Sequence, residues 1–216
     1  GGTVAEGGTL AITTAELSAS DNDTALSDII YTVTSAPSNG QVELTSGPGT
    51  AVTSFTQDDL VNGLVVFVHD GSETLSDSFD FTVADATTTL ASASFGITVT
   101  PVNDAPRFAT ASSKLVINYP AESTVPLDLQ SPTDPESTIA TVRVVELPAL
   151  GQVTLNGSLV ALNQLLSVSQ LKELNFTLSE NINGPIGSVT IQAVDPDGAA
   201  TNWSLELEVQ GESYSN

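Results

Sequence analysis

Cysteine and methionine are both absent from the 216-residue chain. With no cysteine there can be no disulfide staple, so a folded chain must rest on its apolar cores or on bound metal. The missing methionine carries no functional reading. Basic residues are almost missing too. Arg107, Lys114, Arg143 and Lys172 are all there are, and residues 1–106 hold none against 14 Asp and Glu. A half-chain without cations cannot balance its acids by internal ion pairs. A net charge of −22 also repels nucleic acid and anionic lipid. The longest apolar run, residues 64–68, falls far short of the ~20 residues that span a bilayer, so direct membrane insertion is not expected. No leader opens the chain, which is read as an internal segment of a longer protein. Catalytic equipment is thin: one histidine, His69, no cysteine nucleophile, and neither a Gly-x-Ser-x-Gly nor a His-Glu-x-x-His motif. With aromatics at 5%, a carboxylate-pair glycosidase cleft is not favoured either. No enzyme is expected.

What is present is apolar residue content of 40%, rich in Val, Leu, Ile and Thr, which suit a pleated and half-buried surface. The 16 Gly and 11 Pro are scattered as turn punctuation between short alternating segments. That pattern reads all-β. The chain also repeats itself. Tyr31–Leu44 and Arg143–Leu155 share a strand, turn, strand cadence, with Pro and Gly in matching places. Before them stand Asp21-Asn-Asp23 and Asp134-Pro-Glu136; after them, Phe79–Asp85 and Val189–Asp195; further upstream, Ala5-Glu6 and Ala121-Glu122. Short segments every 8–12 residues in each unit are the signature of a β-sandwich. Thr56-Gln-Asp-Asp59 and Ser167-Val-Ser-Gln170 each read as a capping box opening one helical turn. The fold expected is two tandem Greek-key, cadherin/Ig-like β-sandwiches, residues 1–103 and 104–216. The connector Thr100–Pro106 has Pro101 and Pro106 bracketing Asn103-Asp104, which predicts a short stiff linker.

Residues 4–106 resemble the chondroitin-sulfate-proteoglycan (cadherin-like) repeat. The resemblance is carried by Glu6-Gly-Gly-Thr-Leu10, Leu17–Asp23, Val33–Gly40, Ser54–Leu60, Val68-His-Asp-Gly-Ser-Glu73 and Val102-Asn-Asp-Ala-Pro106. Residues 107–210 resemble the bacterial cadherin-like tandem repeat of giant surface proteins, including RTX adhesins, through Gly151–Gly157, Leu171–Phe176, Asn181–Gly184 and Val194–Gly198. Asp134-Pro-Glu136 departs from the more acidic run usual in that family. The resemblance implies extracellular, calcium-stiffened stalk modules on a bacterial cell surface, active in adhesion or biofilm. Their partners would be neighbouring modules, with host or biofilm ligands taken by other domains.

Two readings of the acidic excess stay open: a solvated acidic coat, or carboxylates awaiting Ca²⁺, which takes six to eight oxygens from carboxylates, amides and carbonyls. By the cadherin-like pattern, Glu6, Asp70, Glu73, Asn103 and Asp104 should meet Asp134, Glu136 and Asp195 in one site. Asp21, Asp23 and Asp85 match Asp134, Glu136 and Asp195 and should line the other end of the first unit. Asp197, in Asp195-Pro-Asp197-Gly198, fits a type I turn as well as a ligand loop. A single Asp in such loops is more simply an Asx turn. His69, next to Asp70, could tune a site there but reads more simply as a structural histidine at a strand edge, and Trp203 reads as a core or edge aromatic. A calcium-dependent sugar- or peptide-binding module is the alternative function; the compact units favour a spacer.

Overall fold

The computed structural model describes residues 1–119, 124–139, 141–178 and 183–211, so the upstream pair member Ala121-Glu122 and Asn181-Ile182 lie outside the described residues. The chain divides into two compact units, Gly1–Val102 and Asn103–Asn216.

The first unit contains β1 (Gly2–Ala5), β2 (Thr9–Ala11), β3 (Ile30–Ser35), β4 (Gly40–Leu44), β5 (Ser54–Thr56), a one-turn helix α1 (Gln57–Val61), β6 (Val65–His69), β7 (Ser76–Ala84) and β8 (Ala93–Thr100). They form two sheets, in the orders β1-β8-β7-β3-β5 and β2-β6-β4. The second unit contains β9 (Ser112–Tyr119), β10 (Val125–Pro126), β11 (Thr141–Glu146), β12 (Gln152–Leu155), β13 (Ser158–Leu159), β14 (Leu165–Leu166), β15 (Leu174–Thr177), β16 (Gly184–Val194) and β17 (Ala200–Gly211). Its sheets run β9-β17-β16-β11-β14 and β10-β15-β12-β13. Each unit is an all-β sandwich. In both, the first strand lies parallel to the last: β1 on β8, and β9 on β17. In both, the strand before the central hairpin carries a bulge, at Val33/Ser35 and at Val144/Glu146.

Alternation builds the cores. Phe95, Ile97 and Val99 of β8 point inward while their neighbours face water, and Trp203, Leu205, Leu207 and Val209 of β17 do the same. Each fully buried side chain of this size contributes roughly 1.5–3 kcal/mol. Tyr31 stacks on Phe55, with ring centroids 5.0 Å apart, and its hydroxyl donates to Gln57 Oε1 at 2.7 Å, so the buried phenol is satisfied.

The repeated Gly-Gln-Val-x-Leu string has a steric cause. A Cβ on Gly40 would stand 2.5 Å from the Phe67 ring and 2.4 Å from the Val68 carbonyl oxygen. On Gly151 it would stand 2.3 Å from the Phe176 ring and 2.7 Å from the Thr177 carbonyl oxygen. The same glycine-on-phenylalanine seat thus recurs in both sandwiches. Both capping boxes form. Thr56 Oγ1 accepts from the Asp59 amide and Asp59 Oδ2 from the Thr56 amide. Ser167 and Gln170 exchange the same pair ahead of a 3-10 turn, Ser169–Glu173, in place of an α-turn.

Candidate metal-binding loops

In the second unit, the strand register collects the acidic loops at one end. β16 finishes at Val194, opposite Ala200 of β17 and Thr141 of β11, and β9 begins opposite Ser204 of β17. The loops before β9, before β11 and after β16 therefore meet. A two-way backbone bridge between Arg107 and Thr133 lays the segment that begins the unit alongside Asp134–Glu136. The Asp104 amide accordingly donates to Glu136 Oε1 at 3.1 Å, and the Asp104 and Glu136 carboxylates lie within 4.8 Å of each other. The Asn103 side-chain amide donates to Asp195 Oδ2 at 2.7 Å.

Asp195 is 2% exposed. Its Oδ1 accepts from the Gly198 and Ala199 amides at 2.6 and 2.9 Å, closing the turn after β16. The Asn103 amide, followed by these turn amides, holds the Asp195 carboxyl below the usual carboxylate range against its burial. Asp197 sits exposed on the same turn and is not drawn in. Asp134 Oδ1 accepts from the Ser137 amide and hydroxyl at 2.8 and 2.7 Å. Its Oδ2 is buried with no hydrogen-bond partner among the described residues. The Asp104 carboxylate pairs with Arg107, a contact that competes with any added cation.

In the first unit, Glu6, Asp70 and Glu73 gather where β1 and β8 end and β6 finishes. Glu6 Oε2 accepts from the Val102 amide at 3.3 Å, and the Glu6 and Glu73 carboxylates lie within 4.8 Å of each other. Asp70 Oδ1 accepts from the Ser72 amide at 2.9 Å, and hydrogen bonding to Ser72 lowers its pKa. His69 lies under these loops, 3% exposed.

Asp21, Asp23 and Asp85 occupy the other end of this unit, because Ala84 pairs with Ile30 at the start of β3. Asp85 Oδ1 accepts from the Thr87 and Thr88 amides at 2.7 and 2.6 Å, the counterpart of the Asp195 turn, and this lowers its pKa. Asp21 Oδ1 accepts from the Asp23 amide at 3.0 Å. The hydrogen bond to Asp21 and its charge raise the Asp23 carboxyl, while the same contact lowers Asp21. Asp21 and Asp85 line one recess of about 150 Å³, with Ile29, Val83 and Leu90 at its apolar side.

All these candidate side chains offer hard oxygens, the set suited to Ca²⁺ or Mg²⁺ and not to soft metals. A buried carboxylate oxygen with no donor among the described residues suits a cation, so the Asp134–Glu136 loop beside Asp104 fits such an ion. His69, read from the sequence chiefly as a structural histidine, is buried and hydrogen-bonded beneath the loops that carry Glu6 and Asp70. Glycine follows an acid both in His69-Asp-Gly71 and at Glu6-Gly7.

Residues 1–99 match the family model described as cadherin-like. Human extracellular matrix organizing protein FRAS1 is 40% identical over 94 residues, 43% of this chain and 2% of that protein. Human chondroitin sulfate proteoglycan 4 is 45% identical over 80 residues, 37% of this chain and 3% of that protein. The chain thus spans 2–3% of the length of these relatives. Among solved structures, the human desmocollin-1 ectodomain aligns over 88% of this chain and 42% of its own, at 9% identity and a TM-score of 0.44. The relatives are animal matrix proteins. They agree with the proteoglycan-type resemblance of the first unit and lend no support to an RTX-type bacterial parent.

Proposed function

We propose that this chain is a pair of calcium-dependent, non-enzymatic spacer modules in an extracellular matrix or adhesion protein. Ca²⁺ is held by oxygens of Asn103, Asp104, Asp134, Glu136 and Asp195 in the second unit. In the first, Glu6, Asp70 and Glu73 serve at one end and Asp21, Asp23 and Asp85 at the other. The observation that carries the reading is Asp134 Oδ2, a buried carboxylate oxygen without a partner among the described residues, in a loop whose Glu136 accepts from the Asp104 amide. The ion supplies positive charge where the chain has little: the first unit has no Lys or Arg at all. An extracellular location is drawn from the matrix relatives. Stiffening of the connector by Ca²⁺ rests on the sequence, where Pro101 and Pro106 restrict the backbone on either side of Asn103-Asp104.

A melting scan in millimolar Ca²⁺ against EDTA tests the proposal. A ligand of the native state stabilises by RT ln(1 + [L]/Kd), about 2.7 kcal/mol at a hundredfold excess over Kd. The expected result is an upward shift of several degrees; superimposable curves in Ca²⁺, Mg²⁺ and EDTA refute it.

A further inference from the structure

We infer that His69 is the positioning residue of the first unit's calcium loops: one imidazole holds the backbone amides that follow Glu6 and Asp70 and the Thr74 hydroxyl that follows Glu73. This rests on the calcium reading above and goes beyond it, because His69 itself is no ligand. Its Nδ1 accepts from the Gly7 amide at 3.1 Å and from the Gly71 amide at 3.2 Å, and its Nε2 meets Thr74 Oγ1 at 3.0 Å. Gly7 follows Glu6, Gly71 follows Asp70, and Thr74 follows Glu73. Backbone amides only donate, so Nδ1 carries the lone pair and Nε2 the proton, which is then donated to Thr74. The His69 amide returns a bond to the Gly8 carbonyl at 3.0 Å, and the Asp70 amide bonds the Asn39 carbonyl at 3.0 Å. Side chain and backbone of one residue therefore tie together the loop after β1 and the loop after β6.

The two glycines make this possible. Gly7 has φ +62° and Gly71 has φ +80°, left-handed values that side chains rarely adopt. A Cβ on Gly7 would lie 3.9 Å from the Gly71 Cα, so the two left-handed residues face each other across the ring nitrogen they share. The ring is buried against Phe67, centroids 6.3 Å apart, and has little freedom to turn away. Residues that orient ligands without touching the metal typically contribute about 10–100-fold to its affinity.

The experiment uses the full chain with His69→Phe, His69→Asn, His69→Gln and Thr74→Val. Phe keeps the volume and loses every hydrogen bond. The Asn amide oxygen stands near where Nδ1 was, whereas Gln places its polar end near Nε2. Two readouts are taken: calcium affinity by calorimetric titration, and exchange of the Gly7 and Gly71 amides by NMR in EDTA. In the unsubstituted protein both amides should exchange slowly without calcium. His69→Phe should release them and weaken the first unit's calcium binding about tenfold or more. Asn should recover most of both effects and Gln little, and Thr74→Val should weaken binding mildly with the amides still protected. Should His69→Phe fail to fold, the contrast between Asn and Gln carries the test. The proposal is overturned if His69→Phe binds calcium as tightly as the parent, or if Asn rescues no better than Gln. A parent that takes up no calcium removes the calcium reading and the positioning role with it. Slow Gly7 and Gly71 amides in that case would leave His69 a purely structural pin, which separates the two failures.

Discussion

Replacing Asp134 with Asn should reverse its effect on stability according to whether calcium is present. Asp134 Oδ2 is buried and receives no donor among the described residues, while Oδ1 is engaged by Ser137. An unsatisfied buried acceptor costs about 1–3 kcal/mol, and more when it is charged. Asn preserves the carbonyl that Ser137 needs and removes the buried negative charge. In EDTA the variant should therefore melt as high as the parent or higher, by up to about 1 kcal/mol, which is roughly 4 °C for a unit of this size. In calcium at a hundredfold excess over Kd the parent gains about 2.7 kcal/mol. The variant has lost a charged ligand and should forgo most of that gain, so the order of the two melting curves inverts. Trp203 is the only tryptophan of the chain and is 1% exposed in the second unit, so its fluorescence follows the unit in which the change is made. Asp197→Asn, on an exposed turn position, serves as the control and should show no inversion. If Asp134→Asn is destabilising by the same amount in calcium and in EDTA, Asp134 is a hydrogen-bonded cap and the orphan oxygen points to no ion.

Three further outcomes follow from the same geometry. Asp104→Ala should reduce calcium-induced stabilisation far more than Asp197→Ala, read as the difference in melting temperature with and without EDTA; the opposite order would misplace the ion. Gly151→Ala should destabilise the second unit by about 1–3 kcal/mol or more, since the added methyl meets Phe176 and the φ of +87° is strained for alanine, whereas Gly96→Ala, with open space around it, should be near neutral in urea titration. A carboxylate with a lowered folded pKa stabilises the fold above its unfolded value, about 3.9, and loses that stability as pH falls through the folded value. Asn103→Ala removes the chief cause of the lowered Asp195 value, so in EDTA acid unfolding should begin at a higher pH than in the parent.

The sandwich was legible because its causes are local and periodic. Alternation along residues 93–100 and 200–211 fixes which side chains enter the core, and the capping boxes at Thr56 and Ser167 mark both short helical turns. The internal repeat was visible because each sandwich needs glycine at the same place, against Phe67 and Phe176. Three-residue spacing satisfies a 3-10 turn and an α-turn alike, so the sequence marks the helical turn at Ser167 without its type, which is 3-10.

The candidate site was legible as a set of oxygens and not as an arrangement. Sequence alone determines that the first half-chain has acids and no cations, that glycine follows Glu6 and Asp70, and that Asn103-Asp104 lies between prolines. Spacing along the chain does not say that the Asn103 amide reaches Asp195, 92 residues away, or that Arg107 takes the Asp104 carboxylate. Nor does it say that His69 bonds to Gly7 across 62 residues. The Asn103 contact exists because parallel pairing of β9 on β17 brings the start of the second unit to the end where β16 turns, and the His69 contact because antiparallel pairing of β2 on β6 sets Gly7 beside the end of β6; only tertiary structure closes these distances.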